Sequence, residues 1–158
     1  MTARALWLLL VLTARGALAT DRPVAGDRLT LKDPADPSRR SVRFQAAHDP
    51  AIDPGGAADP RTAGATLEET GANPGDGAAG PILLAAGLWT GLGNPSGANG
   101  YKWRDPSRAT GVKTVVFKRG VGGGTLSVSG GGSAWPYAVG QAQGPIALRF
   151  ALGADMYC

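Results

Sequence analysis

A chain of 158 residues with 25 glycines and 12 prolines has the length of one domain, or of two small repeats sharing a core. Its Gly/Pro content nears the range where order throughout cannot be assumed. A single cysteine, Cys158, excludes an internal disulfide framework. The formal charge of +4 would imply an anionic partner only if the cations clustered.

The N-terminus accounts for part of that charge. Met1-Thr2-Ala3-Arg4 is a cationic start, Ala5 to Leu12 an apolar block, and Gly16-Ala17-Leu18-Ala19 a small-x-small end. These are the three parts of a secretory signal peptide, with Arg15 the one departure from the pattern. The apolar block is far shorter than the ~20 residues of a membrane-spanning helix, so no transmembrane anchor is expected. No Cys follows the block, which disfavours a lipid anchor. Residues 1–19 are therefore expected to direct export, periplasmic or extracellular, with Thr20 as the mature start.

Without Arg4 and Arg15, the 16 cations become 14 against 12 carboxylates, a balance of +2. Nucleic-acid binding needs cations dense enough to neutralise several phosphates, and no such density is evident along the chain. Lys113, Lys118 and Arg119 read as the solvated face of a strand and its turn. No nucleic-acid partner is expected.

Along the mature chain, four blocks recur in order. Leu29-Thr30-Leu31-Lys32-Asp33-Pro34 matches Tyr101-Lys102-Trp103-Arg104-Asp105-Pro106, each followed by a Ser-Arg step. Val42-Arg43-Phe44-Gln45 matches Val115-Val116-Phe117-Lys118, Ala65-Thr66-Leu67 matches Gly124-Thr125-Leu126, and Gly80-Pro81-Ile82-Leu83-Leu84 matches Gly144-Pro145-Ile146-Ala147-Leu148. Alternation with period two marks half-buried strands, because successive side chains point to opposite faces. Asp-Pro ends the first strand of each unit: proline lacks a donor and aspartate accepts from the backbone ahead. Third strands are expected at Thr66–Glu69 and Thr125–Ser129. Fourth strands are expected at Ile82–Ala85 and Ile146–Leu152, each beginning after Gly-Pro.

The expected class is all-β, a sandwich or small barrel of two similar four-stranded units. The first unit, residues 20–88, has long Asp-Pro- and Gly-rich loops (46–63 and 70–80) and is degenerate. Residues 89–100 form a Gly/Asn/Pro connector. The second unit, residues 101–158, holds most of the aromatics and so most of the core. Its end, a turn-like Gly153-Ala154-Asp155 entering a strand at Met156-Tyr157-Cys158, reads as a chain cut short rather than as a functional terminal thiol.

The run from Trp89 through Gly97-Ala98-Asn99-Gly100-Tyr101-Lys102-Trp103-Arg104-Asp105, with Val115-Val116-Phe117-Lys118 and Tyr157-Cys158, resembles an uncharacterised family of exported β-repeat modules from deltaproteobacteria. Trp103 and Arg104 stand where that family usually has Tyr and Lys. Its Tyr-Cys motif normally continues into a last apolar strand. The family has no assigned activity, so the resemblance implies a fold and a destination but no functional residue.

Catalytic candidates are few. His48 is the only histidine, lies in a loop-like Ala47-His48-Asp49-Pro50, and has no visible partner set for acid–base or zinc chemistry. Asp33, Asp36, Asp49, Asp53 and Asp59 each precede proline, which favours turns over a calcium loop. Gly122-Gly123-Gly124 and Gly130-Gly131-Gly132 lack the Lys-Ser/Thr of a phosphate loop. No metal, cofactor or catalytic residue is expected. Trp135-Pro136-Tyr137 is the arrangement open to function, since aromatic faces stack on sugars. Pinning of a loop onto the core by the same residues is the competing reading. The expected function is that of an exported non-enzymatic β-module with a structural or binding role. The alternative is a carbohydrate- or surface-binding module that stacks a polysaccharide on Trp135 and Tyr137, and a hydrolase stands third.

Overall fold

The computed structural model describes residues 20–158, so the expected signal peptide lies outside the described residues. The alternating segments all form strands. In chain order these are β1 (Thr20–Arg22), β2 (Arg28–Lys32), β3 (Ser41–Asp49), β4 (Ala65–Gly71), β5 (Ala78–Leu84), β6 (Trp89–Leu92), β7 (Gly100–Arg104), β8 (Val112–Lys118), β9 (Gly124–Gly131), β10 (Ile146–Leu152) and β11 (Asp155–Tyr157). One helical turn, α1 (Pro60–Ala63), is capped by Asp59, whose carboxylate accepts from the Arg61 N–H.

The strands form two sheets, ordered β1-β11-β10-β4-β5 and β2-β3-β9-β8-β7-β6. They pack face to face as a sandwich, and the barrel alternative is corrected. Neither sheet closes, because β1 and β5 remain edges of one and β2 and β6 edges of the other. All pairings are antiparallel except β1 with β11.

Both sheets draw strands from both recurring segments. In the six-stranded sheet, β3 pairs with β9, and in the five-stranded sheet β4 pairs with β10. The third strands differ in company: β4 lies beside β5, whereas β9 lies between β3 and β8. The buried faces of the two segments thus meet in one shared core.

That core follows the alternation. Val42, Val115, Phe117, Leu126 and Val128 point inward from the six-stranded sheet, and Leu67, Leu84, Phe150 and Leu152 face them. Phe117, Phe150 and Tyr157 form an aromatic cluster, with Phe117 and Tyr157 edge to face at 5.0 Å. The chain crosses between sheets after β5, where the indoles of Trp89 and Trp103 donate to the Leu84 and Ala85 carbonyls.

Three expectations about loops change. The connector 89–100 begins with a strand, β6, because Trp89 is buried opposite Trp103. The fourth strand of the first segment begins at Ala78, so Pro81 lies within it. An edge strand tolerates that, since β5 pairs on one side only. The expected loop 46–63 loses its first residues to β3, and its remainder is anchored by buried Ile52 and Pro60.

The Asp-Pro reading holds in atomic detail. Asp36, Asp49, Asp53, Asp59 and Asp105 each accept a hydrogen bond from the N–H two residues ahead. Asp33 instead ties distant segments together, accepting from Arg40 Nε at 2.6 Å and from the Val139 N–H at 2.7 Å. Those donors hold its carboxyl below the usual range, the Arg40 contact contributing most.

Candidate functional site

Trp135 and Tyr137 are each 1% exposed. The alternative of a stacking platform there is corrected, and the competing loop-pinning reading agrees with the structure: both rings are core, and neither offers a face to a sugar. They hold the segment between β9 and β10 onto the sandwich. The Trp135 carbonyl accepts from Arg40, and the Tyr137 hydroxyl donates to Gln143 Oε1 at 2.8 Å. The same Gln143 oxygen accepts from the Gly77 N–H, joining this segment to the turn between β4 and β5.

His48 is exposed, at a positive φ of 57° beside the bulge in β3, with Nδ1 3.0 Å from the Val121 carbonyl oxygen. Among the described residues, the Val121 carbonyl is the hydrogen-bond contact of its ring. Among the described residues, no three His, Cys, Asp or Glu side chains converge as a metal site would require.

Parity along β4 produces one feature that the sequence reading passed over. Leu67 points inward, so Glu69 does too, and it is completely buried. Among the described residues, neither carboxylate oxygen has a hydrogen-bond partner. Burial pushes its pKa up to about 7. The Tyr137 phenol, raised first by its own burial and then by Glu69 and Asp76, senses the same interior.

The outward phase of the six-stranded sheet has a different chemistry. The registers align Thr30, Arg43, Ser129, Thr114 and Arg104 in one cross-strand row. The next row holds Arg28, Gln45, Ser127, Val116, Lys102 and Thr90. Lys32 and Lys118 flank these rows on β2 and β8. Six cations therefore stand at paired outward positions of one face, Arg28, Lys32, Arg43, Lys102, Arg104 and Lys118, and a further exposed cation, Lys113, lies at the bulge of β8.

Within these six strands no outward carboxylate balances them; at the rim, the exposed Asp27 next to Arg28 accepts from the Ala47 N–H. The one acidic residue within these six strands is Asp49, which is buried and turned to the Ala25 and Ala51 N–H groups. Among the described residues the ion pairs are Arg22–Asp155, Arg40–Asp33, Arg61–Asp59 and Arg119–Asp53, none involving the six. Arg28, Arg43, Gln45, Thr114, Ser127 and Ser129 line a shallow depression of about 320 Å³ there. By contrast, the outer face of the five-stranded sheet sets Glu68 directly across from Arg149.

The fold thus sharpens a segregation of charge already present along the chain, where residues 101–158 carry seven cations against two carboxylates. The acids sit mainly in turns, where they cap backbone donors, while six of the 14 cations in residues 20–158 occupy the polar phase of one sheet. Such a face raises the local concentration of anions. Its arginines can engage carboxylates or phosphates through two parallel hydrogen bonds. Comparison with family models, with curated proteins and with solved structures returned no match to this chain.

Proposed function

We propose that this chain is an exported, non-enzymatic binding module whose outer six-stranded sheet face holds an anionic ligand at a cell surface or in the surrounding matrix. The observation that carries the reading is the set of six outward cations on one face, with no outward carboxylate within its six strands. The signal-peptide pattern of residues 1–19 supports the destination. Thr20 begins β1, and its N–H donates to the Ala154 carbonyl, so cleavage after Ala19 leaves a chain that starts in a paired strand. The binding surface is polar and cationic, and it takes the place of the aromatic platform that stood as the alternative.

Two measurements test the proposal. Cell fractionation with N-terminal sequencing is expected to find protein outside the cytoplasm beginning at Thr20; retention of an intact N-terminus in the cytoplasm contradicts export. Binding to carboxymethyl-dextran but not to unmodified dextran is the expected selectivity. Equal binding to both polymers contradicts an anion site.

A further inference from the structure

The cations on the outer face are not spread evenly. Three of them, Arg28, Lys32 and Arg43, lie on β2 and β3. The other three, Lys102, Arg104 and Lys118, lie on β7 and β8. Between the two groups runs β9, whose outward residues are Thr125, Ser127 and Ser129, with Thr114 beside them on β8. The face is therefore two cationic banks separated by a floor of hydroxyls, interrupted on β8 by Val116 between Ser127 and Lys102.

Its dimensions follow from strand geometry. Neighbouring strands lie ~4.8 Å apart. Arg43 and Arg104 are three strand steps apart in one row, or about 14 Å, and Arg28 and Lys102 are four, or about 19 Å. Along the strands, the rows from Lys32 to Lys118 cover three two-residue steps, or about 20 Å. Long Arg and Lys side chains narrow the gap from both banks, as Arg28 and Arg43 already do around the depression above Ser127 and Ser129. What remains is a strip following β9, wide enough for one extended chain.

The floor selects among polyanions. Ser127, Ser129, Thr114 and Thr125 offer hydroxyls that both donate and accept, suited to a polymer carrying hydroxyls as well as charge. The outward positions of these six strands hold no aromatic residue, because Phe44, Tyr101, Trp103 and Phe117 occupy the inward phase. Sequence-tolerant binding of single-stranded nucleic acid relies on aromatic stacking of bases, which this face does not offer.

We infer that the strip along β9 binds a linear carboxylated polysaccharide, a polyuronate, as a single chain lying between the two cationic banks. This rests on the anion-binding reading above and specifies its ligand class and orientation. Carboxylates on alternating sides of the polymer reach Arg28 and Arg43 on one bank and Lys102 and Arg104 on the other, while sugar hydroxyls meet Ser127 and Ser129.

The test is a binding series with oligomers of galacturonic acid of increasing length, run beside duplex DNA and anionic phospholipid vesicles at matched charge and salt. Affinity is expected to rise with oligomer length and level off once the chain spans the strip, and to exceed that for DNA and vesicles. Arg28→Gln/Arg43→Gln and Lys102→Gln/Arg104→Gln are each expected to weaken binding by about tenfold or more, as loss of charge-assisted hydrogen bonds on either bank requires. Ser129→Val, which keeps every charge, is expected to weaken it by about fivefold. Equal affinity for all three polyanions, dependence on one bank alone, or indifference to Ser129→Val overturns the inference. Binding to DNA or vesicles but not to the uronates overturns it while leaving the anion-binding reading in place. Binding to none of them removes both.

Discussion

Arg43 stands directly across from Ser129 in the β3–β9 pairing, and this neighbourhood typifies the outer face of the six-stranded sheet. A cation with a long reach borders a small hydroxyl, and the row continues through Thr114 to Arg104. The two residues are 86 positions apart in sequence; only the fold makes them one surface.

The buried carboxyl of Glu69 predicts an unusual pH profile. Its pKa is raised from 4.5 to about 7 in the folded chain, so the folded state holds a proton that the unfolded state releases. Its contribution is fully present below pH 4.5 and is lost as pH rises toward 7. The loss is about 1.4 kcal/mol per pH unit, roughly 3 kcal/mol in all, with no further change above the folded pKa. Denaturant midpoints measured from pH 4 to 8 are expected to decline across this window. Glu69→Gln is expected to flatten the decline and to be the more stable protein at pH 8. A Glu69→Gln profile with the same slope as the parent would assign the pH dependence elsewhere.

Burial of Trp135 and Tyr137 predicts effects on stability without effects on binding. Trp135→Ala is expected to cost about 3–5 kcal/mol, as truncation of a large core aromatic does. Tyr137→Phe removes the hydrogen bond to Gln143 and is expected to cost about 1 kcal/mol. The milder variant, which folds, is expected to bind carboxymethyl-dextran like the parent. Loss of binding with full stability in Tyr137→Phe would restore Tyr137 to the ligand site.

Gly111 predicts a steric effect. Its φ is +79°, and a Cβ there would lie 2.5 Å from the Trp135 backbone Cα. The turn 105–111 and the segment carrying Trp135 therefore pack backbone to backbone. Gly111→Ala combines left-handed strain with overpacking and is expected to cost roughly 2–4 kcal/mol by thermal or denaturant unfolding. A neutral effect would mean that the two segments are not held together there.

Much of the sandwich was legible because its strands carry the alternation on their surfaces. Tyr101/Trp103, Val115/Phe117 and Leu126/Val128 each announced an inward phase. The short strand β1 has only Thr20–Arg22 and no alternation to read. β6 hid behind glycines and was held in place by the distant pairing of Trp89 with Trp103. Pro81 masked the start of β5, because a strand interior usually excludes proline unless it lies at an edge.

The candidate site was half legible. Arg28, Lys32, Arg43, Lys102, Arg104 and Lys118 are the polar phase of the same alternation, so each could be placed facing outward. That they share one face depends on β3 pairing with β9 across the two segments, which no local pattern specifies. A near-neutral mature charge concealed the segregation, because the balancing carboxylates are mostly spent in turns. Glu69 was readable in principle: parity with Leu67 puts it inside. For Trp135 and Tyr137 the loop-pinning reading agrees with their burial, and the stacking alternative does not, because composition alone does not distinguish a buried plug from an exposed platform.

The most direct measurement is a salt titration of carboxymethyl-dextran binding by the parent and by Arg43→Glu/Arg104→Glu, which reverses one exposed cation on each bank. The parent is expected to bind with an affinity that falls steeply as salt rises, as counterion release at several contacts requires, and the double variant to fold normally and lose binding. A folded double variant that binds as tightly as the parent, with the same salt dependence, would contradict the assignment of the outer six-stranded sheet as the binding face.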